Sequence, residues 1–174
     1  GGSAVYLSAE QFTSYYVEAV RGSGLPSFRQ KYREVQLLII DDLQFFRGKR
    51  STLVELLYTV DTLLRQRRQL VLAADRPPSE LTDLGPELMA RLESGVVVQV
   101  DPPDHGTRLG IVGELARRMG LHVPDDVQRL LASRLRSHAR ELSGALCRLK
   151  ATSTALGKPI TVPLAEEALA DMFR

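Results

Sequence analysis

Residues 37–46 read Leu37-Leu38-Ile39-Ile40-Asp41-Asp42-Leu43-Gln44-Phe45-Phe46. Large aliphatics run together without alternation and then meet two carboxylates. The run predicts a strand over 36–41 that is buried on both faces, as in a parallel sheet covered by helices. Open α/β sheets place their ligands beyond the carboxyl ends of such strands. A carboxylate there can hold Mg²⁺, directly or through water, and the metal can bridge phosphate oxygens. The same residues also read as a buried strand followed by an Asp-rich turn, since Asp favours turns. The run alone does not separate the two readings.

Working outward, the chain alternates strands and helices. Residues 4–7 predict a short strand. Ser8, with Gln11 three residues on, fits a capping box that opens a helix over 9–21. Phe12, Tyr16, Val17 and Val20 form its apolar stripe. Gly22 to Pro26 break it, and 27–32 predict a short basic helix. After the central strand, Ser51 or Thr52 is placed to cap a helix reaching Arg65. Its stripe is Leu53, Leu56, Leu57, Val60 and Leu64. Residues 69–74 predict a second buried strand, 79–84 and 87–93 short helices, and 96–100 (VVVQV) a further strand. After Asp101-Pro102-Pro103-Asp104 the period becomes helical throughout, over 105–119, 124–135, 139–156 and 163–173. Strands alternating with helices, then helices alone, predict an α/β core over 1–101 and an all-helical unit over 102–174.

The 174 residues suit one domain, or a domain with a small subdomain. Net charge is only +2, with Arg far outnumbering Lys. That balance does not demand nucleic acid, but Arg suits bidentate contacts to phosphate and carboxylate. Cys147 is the single cysteine, which excludes an intrachain disulfide, and its apolar helical context predicts a buried side chain. His105, His122 and His138 are scattered without metal-ligand spacing, so no zinc site is expected. No apolar run approaches ~18 residues, so no transmembrane helix is expected either. With no signal peptide visible, the reading is cytoplasmic.

The stretch LLIIDDLQFF resembles the Walker B signature of DnaA-type replication initiators, a branch of the AAA+ ATPases. SAEQF, YREV, ADRPP, VDPPD and RELSGAL follow that family's pattern in order and cover nearly the whole chain. The resemblance implies an AAA+ P-loop NTPase-like parallel sheet, partial because it lacks the P-loop strand, plus an all-helical lid. The family's phosphate-binding loop, GxxxxGK[ST], would precede SAEQF, and no such motif occurs in these residues. Its C-terminal DNA-binding domain would follow Arg174. In the family a further strand lies between those read here as 69–74 and 96–100.

The resemblance also implies roles. Asp41 is the Mg²⁺ carboxylate, acting through water, and Asp42 orients the attacking water. Asp75 is the sensor 1 residue near the γ-phosphate, although an Asp there also fits a helix cap. Arg91 is the arginine finger offered in trans to ATP on a neighbouring subunit. Its context departs from the family, with Leu92, Ser94 and Glu87 where Phe, an aromatic and a basic residue are usual. Arg140 is sensor 2, reaching from the lid to the phosphates. A basic residue near a helix N-terminus opposes the macrodipole, so Arg140 has reason to serve elsewhere.

Single-stranded DNA is the other implied partner. Val17 and Lys49 match the family's contact positions, and Arg21 and Arg50 extend a basic rim. Such backbone contacts need charge and reach rather than base-edge geometry. Two functions remain open at this stage. One is an ATP-controlled initiator module that forms homo-oligomeric filaments, binds and opens origin DNA, and hydrolyses ATP slowly with Mg²⁺. The other is a DnaA-like regulatory module that docks on an initiator without hydrolysing ATP. In either case this stretch is expected to be inactive alone without the phosphate-binding loop.

Overall fold

The computed structural model describes residues 3–173. The chain forms two compact units that divide between Gln99 and Val100.

The first unit is built on a three-stranded parallel sheet in the order β1 (Ala4–Ser8), β2 (Leu37–Asp41), β3 (Gln69–Leu72). Tyr6 stands in register with Ile39, and Ile39 with Val71. Helices α1 (Ala9–Arg21) and α2 (Leu25–Arg33) connect β1 to β2, and α3 (Arg50–Arg65) connects β2 to β3. The Ser8 capping box forms as expected: Ser8 Oγ accepts Gln11 N–H, and Gln11 Oε1 accepts Ser8 N–H at 2.9 Å. Two short 3₁₀ turns and α4 (Pro86–Glu93) follow β3.

The core lies on one face of the sheet. Leu7, Leu38 and Ile40 are buried there against Phe12, Phe28, Phe46, Leu56 and Leu63 from the helices and the turn after β2. The opposite face is uncovered among the described residues, with Tyr6 64% and Val71 43% exposed. The expectation of burial on both faces is therefore corrected. Leu38 and Ile40 are sealed, whereas Leu37 and Ile39 are only half-buried.

Other expectations change for similar reasons. On α1 only Ala9 and Phe12 are buried; Tyr16 packs partly against the core, and Val17 and Val20 face outward. On α3 the buried face is Thr52, Glu55, Leu56, Thr59, Val60 and Leu63, turned from the apolar stripe. Glu55 can lie there because Arg29 and Arg33 of α2 reach it: Arg29 Nη2 donates at 2.9 Å, and Arg33 closes a second ion pair. Arg33 Nε also donates to Thr59 at 3.4 Å. A buried carboxylate paired twice escapes most of the cost of an isolated charge. The helix starts at Arg50 after Lys49, with no side-chain cap from Ser51 or Thr52.

The largest correction falls on residues 96–100. They form no strand, and Val96 and Val98 are 93% and 73% exposed. β-branched composition supplies propensity but no ladder, and β3 pairs only with β2.

The second unit is helical: α5 (His105–Arg118), α6 (Asp125–Arg134), α7 (Ala139–Leu156) and α8 (Val162–Ala168). The last is shorter than its sequence pattern suggests. Its core joins Val112, Val127, Leu131, Leu142, Leu146 and Leu149. Asp104 caps α5 by accepting Thr107 N–H at 2.7 Å, and Thr161 caps α8. Cys147 is exposed, contrary to expectation, because α7 turns Ala145, Leu146 and Leu149 inward instead.

Candidate functional site

The turn after β2 is held from below. Leu43 and Phe46 are buried, and Phe46 meets Phe12 edge-on with ring centroids 5.8 Å apart. Leu43 N–H donates to Ala73 O at 3.0 Å, which ties the turn to the end of β3. Asp42 bridges strand and turn at φ 60°, ψ 48°. This left-handed conformation is uncommon outside glycine and best tolerated by Asp and Asn. Non-glycine residues held there recur at functional sites.

These constraints set a row of polar groups across the carboxyl edge of the sheet. The Tyr6 hydroxyl on β1 donates to Asp41 Oδ2 at 3.0 Å. Asp41 Oδ1 accepts Asp42 N–H at 2.8 Å. Gln44 Nε2 donates to Asp42 Oδ1 at 3.0 Å, and Gln44 Oε1 accepts Asp75 N–H at 3.4 Å. Arg76 grips the Asp75 carboxylate with two donors on one edge of its guanidinium, Nε at 2.8 Å and Nη2 at 3.0 Å. That grip holds the Asp75 carboxyl below its usual range. The structure thus joins Asp41, Asp42 and Asp75 in one hydrogen-bonded row, with Gln44 as the link. Asp75 caps no helix; its carboxylate goes to Arg76.

Arg91 stands on α4 outside this row. Its Nε–H donates to Asp61 Oδ1 of α3 at 2.8 Å. That contact raises its already high pKa, with Glu87 adding a smaller effect. Arg140 lies exposed in the first turn of α7, in the second unit. That turn is capped by His138, whose Nδ1 accepts Glu141 N–H at 3.2 Å, while Ser137 Oγ donates to Glu141 Oε2 at 2.6 Å.

Val17 and Arg21 line an open trough of about 600 Å³ along α1, with Thr13, Ser14, Glu18 and Gly22. Lys49 and Arg50 sit at the start of α3, with Lys49 half-buried and Arg50 exposed. The trough wall also includes Glu18, so this rim is not uniformly basic.

Among the described residues no group of three or more His, Cys, Asp or Glu could hold a metal by itself. Asp41 and Asp42 nevertheless fit Mg²⁺ of the kind that keeps its waters and takes one or two carboxylates plus phosphate oxygens. Their oxygens are hard donors, and each carboxylate oxygen retains a second lone pair beside the hydrogen bond it accepts.

Sequence reasoning missed Tyr6, Arg76, Glu55 and Asp61. Arg76 was legible as the neighbour of Asp75. Tyr6 and Asp61 come into place only through strand register and the approach of α4 to α3.

A parallel sheet with carboxylates at its carboxyl edge, joined in sequence to a helical unit, matches the AAA+ class of α/β folds seen in DnaA domain III. Residues 2–99 match the family described as the bacterial DnaA ATPase domain, and residues 106–169 match the lid domain described for Hda. The chain belongs to the bacterial DnaA ATPase domain family. Domain III of the Thermotoga maritima replication initiation protein DnaA is similar at 30% identity, with a TM-score of 0.95 over 99% of this chain and 72% of that one. The replication initiator DnaA bound to AMPPCP and single-stranded DNA is 31% identical, with a TM-score of 0.76 over 86% of this chain and 46% of that one. AMPPCP-bound DnaA from Aquifex aeolicus is 31% identical, with a TM-score of 0.77 over 86% and 47%. The chain therefore spans less than half the length of those two relatives. No helix of the described residues is long and apolar enough to cross a membrane.

Proposed function

We propose that this chain is the sheet-and-lid part of an ATP-controlled module that acts in the initiation of chromosomal DNA replication. The observation that carries the reading is the hydrogen-bonded row Asp41–Asp42–Gln44–Asp75 along the carboxyl edge of the sheet. Asp41 would hold Mg²⁺ through water, Asp42 would orient the attacking water, and Asp75 would monitor the γ-phosphate. When bound there, Mg²⁺ would supply positive charge to offset that developing on the phosphoryl oxygens. Arg76 offsets part of the repulsion between Asp75 and phosphate. Arg91 reaches ATP on a neighbouring copy, and Arg140 reports nucleotide state to the lid at residues 102–174. The core at 1–101 carries the other groups.

Assembly through ATP at the interfaces between copies gives a homo-oligomer that binds single-stranded DNA at an origin. Val17 meets the sugar-phosphate backbone, while Arg21, Lys49 and Arg50 supply charge. The relatives determined with AMPPCP, and with AMPPCP and single-stranded DNA, support both ligands.

The test uses the full-length protein and a fluorescent single-stranded oligonucleotide, with anisotropy and sedimentation read in ATP and in ADP. ATP is expected to favour assembly on the strand, and Lys49→Ala to lower the salt slope of binding by about 0.7. Assembly that is the same with ATP, ADP and no nucleotide would overturn the reading. ATP-dependent docking on an initiator without hydrolysis would favour a regulatory module instead.

A further inference from the structure

We infer that Asp61 is a positioning residue for Arg91, presenting its guanidinium to the nucleotide of a second copy. This rests on the trans role proposed above for Arg91. Asp61 takes the guanidinium by its inner edge only: Nε–H meets Oδ1 at 2.8 Å. Among the described residues, no hydrogen bond engages the two terminal Nη groups. Those groups carry the fork that matches adjacent phosphate oxygens. A carboxylate that sequestered the arginine would take two of its donors at once, as Asp75 takes Nε and Nη2 of Arg76. Here the fork is left open and its direction is fixed.

The anchor for this grip is α3, which is fastened to α2 by the buried Glu55. Asp61 is therefore carried on a helix tied to its neighbour by two ion pairs. Arg91 sits on α4, a helix of 8 residues between a 3₁₀ turn and the exposed segment 96–100. A long side chain such as Arg91 loses much rotamer freedom when it must meet a partner. Tethering its Nε reduces that loss before the partner arrives. Glu87, one turn earlier on α4, adds negative potential around the guanidinium.

Asp61 and Arg91 side chains are 38% and 42% exposed, so solvent weakens the pair. An exposed pair of this kind corresponds to an effect of about two- to five-fold. The experiment is a double-mutant cycle in the full-length protein, read as the protein concentration giving half-maximal assembly in ATP and in ADP. Asp61→Ala is expected to raise that concentration about three-fold in ATP and to leave the ADP value unchanged. On an Arg91→Ala background it is expected to do nothing more. Asp61→Glu, which keeps the charge, should recover part of the loss, and unfolding curves of all variants should superimpose. Equal effects of Asp61→Ala with and without Arg91 would overturn the positioning role. So would a full Arg91→Ala defect with no effect of Asp61→Ala. If Arg91→Ala itself leaves ATP-dependent assembly intact, the trans role falls and the inference falls with it.

Discussion

The Tyr6 hydroxyl donates to Asp41 Oδ2 at 3.0 Å, so the carboxylate closing β2 is steadied by the strand beside it. The register that pairs Tyr6 with Ile39 and Ser8 with Asp41 places the phenol on the uncovered face, leaning toward the strand end. Tyr6→Phe removes one hydrogen bond and little packing. Its ring is largely exposed, so water can replace the bond and the expected loss is about 0.5–1 kcal/mol, below the roughly 1.5–3 kcal/mol of a sheltered bond to a charged acceptor. Urea unfolding should show a lower midpoint with an unchanged slope. A loss beyond about 2 kcal/mol would mean that Tyr6 packs against more than Asp41.

Glu55 is 3% exposed and is held by Arg29 and Arg33. Removing it strands two guanidiniums at the α2–α3 contact. Breaking a buried pair commonly costs about 3–5 kcal/mol. Arg29 is half-exposed and can turn to water, so about 2–3 kcal/mol is expected for Glu55→Ala. The measurement is urea unfolding followed by tyrosine fluorescence, since Tyr16 and Tyr32 lie beside this contact. The second unit keeps its own core and should hold its helical signal to the same denaturant concentration as before.

Glu114 on α5 accepts from Arg117 and Arg118 and has its pKa lowered from 4.5 to about 2. A carboxylate depressed in the folded state stabilises above its ordinary pKa, and that contribution is lost as pH falls toward the folded value. The window is therefore about pH 4.5 down to 2. Carboxyl NMR should place the midpoint of Glu114 near 2, and Glu114→Gln should flatten the acid loss of lid stability within that window. A Glu114 midpoint near 4.5 would mean that the two arginines do not hold it in solution.

The order of elements was largely legible because each carries a local signal. The Ser8–Gln11 pair marks the start of α1, and Gly157 at φ 61° ends α7 where the apolar period stops. The class of fold was legible from the aliphatic run at 37–40 followed by carboxylates. What the sequence hid depends on contacts between distant residues. Glu55 on the buried side of α3 looks like a solvated charge until α2 supplies its arginines. Residues 96–100 read as a strand from composition, yet a strand exists only beside a partner. Within the site, Asp41 and Asp42 are neighbours in the chain, but their link to Asp75 needs Gln44 and the β2–β3 register.

The last prediction concerns the open edge of β3. Its backbone bonds to β2 on one side, and on the other side no strand pairs with it among the described residues. Val71 projects from the uncovered face and is 43% exposed, while Val96 and Val98 in the same unit are 93% and 73% exposed. Unpaired edges with apolar side chains template pairing with other chains, and natural proteins block this with charges, especially Lys. The 174-residue chain is therefore expected to self-associate as its concentration rises, without nucleotide. Val71→Lys should reduce that association and lower the unfolding midpoint only modestly, because Val71 is 43% exposed and the aliphatic stem of Lys can cover part of the same surface. Multi-angle light scattering across a concentration series reads the mass directly. A chain that stays monomeric at high concentration would show that the edge is protected. Association unaffected by Val71→Lys would place the contact elsewhere, with the valines at 96–98 the next to substitute.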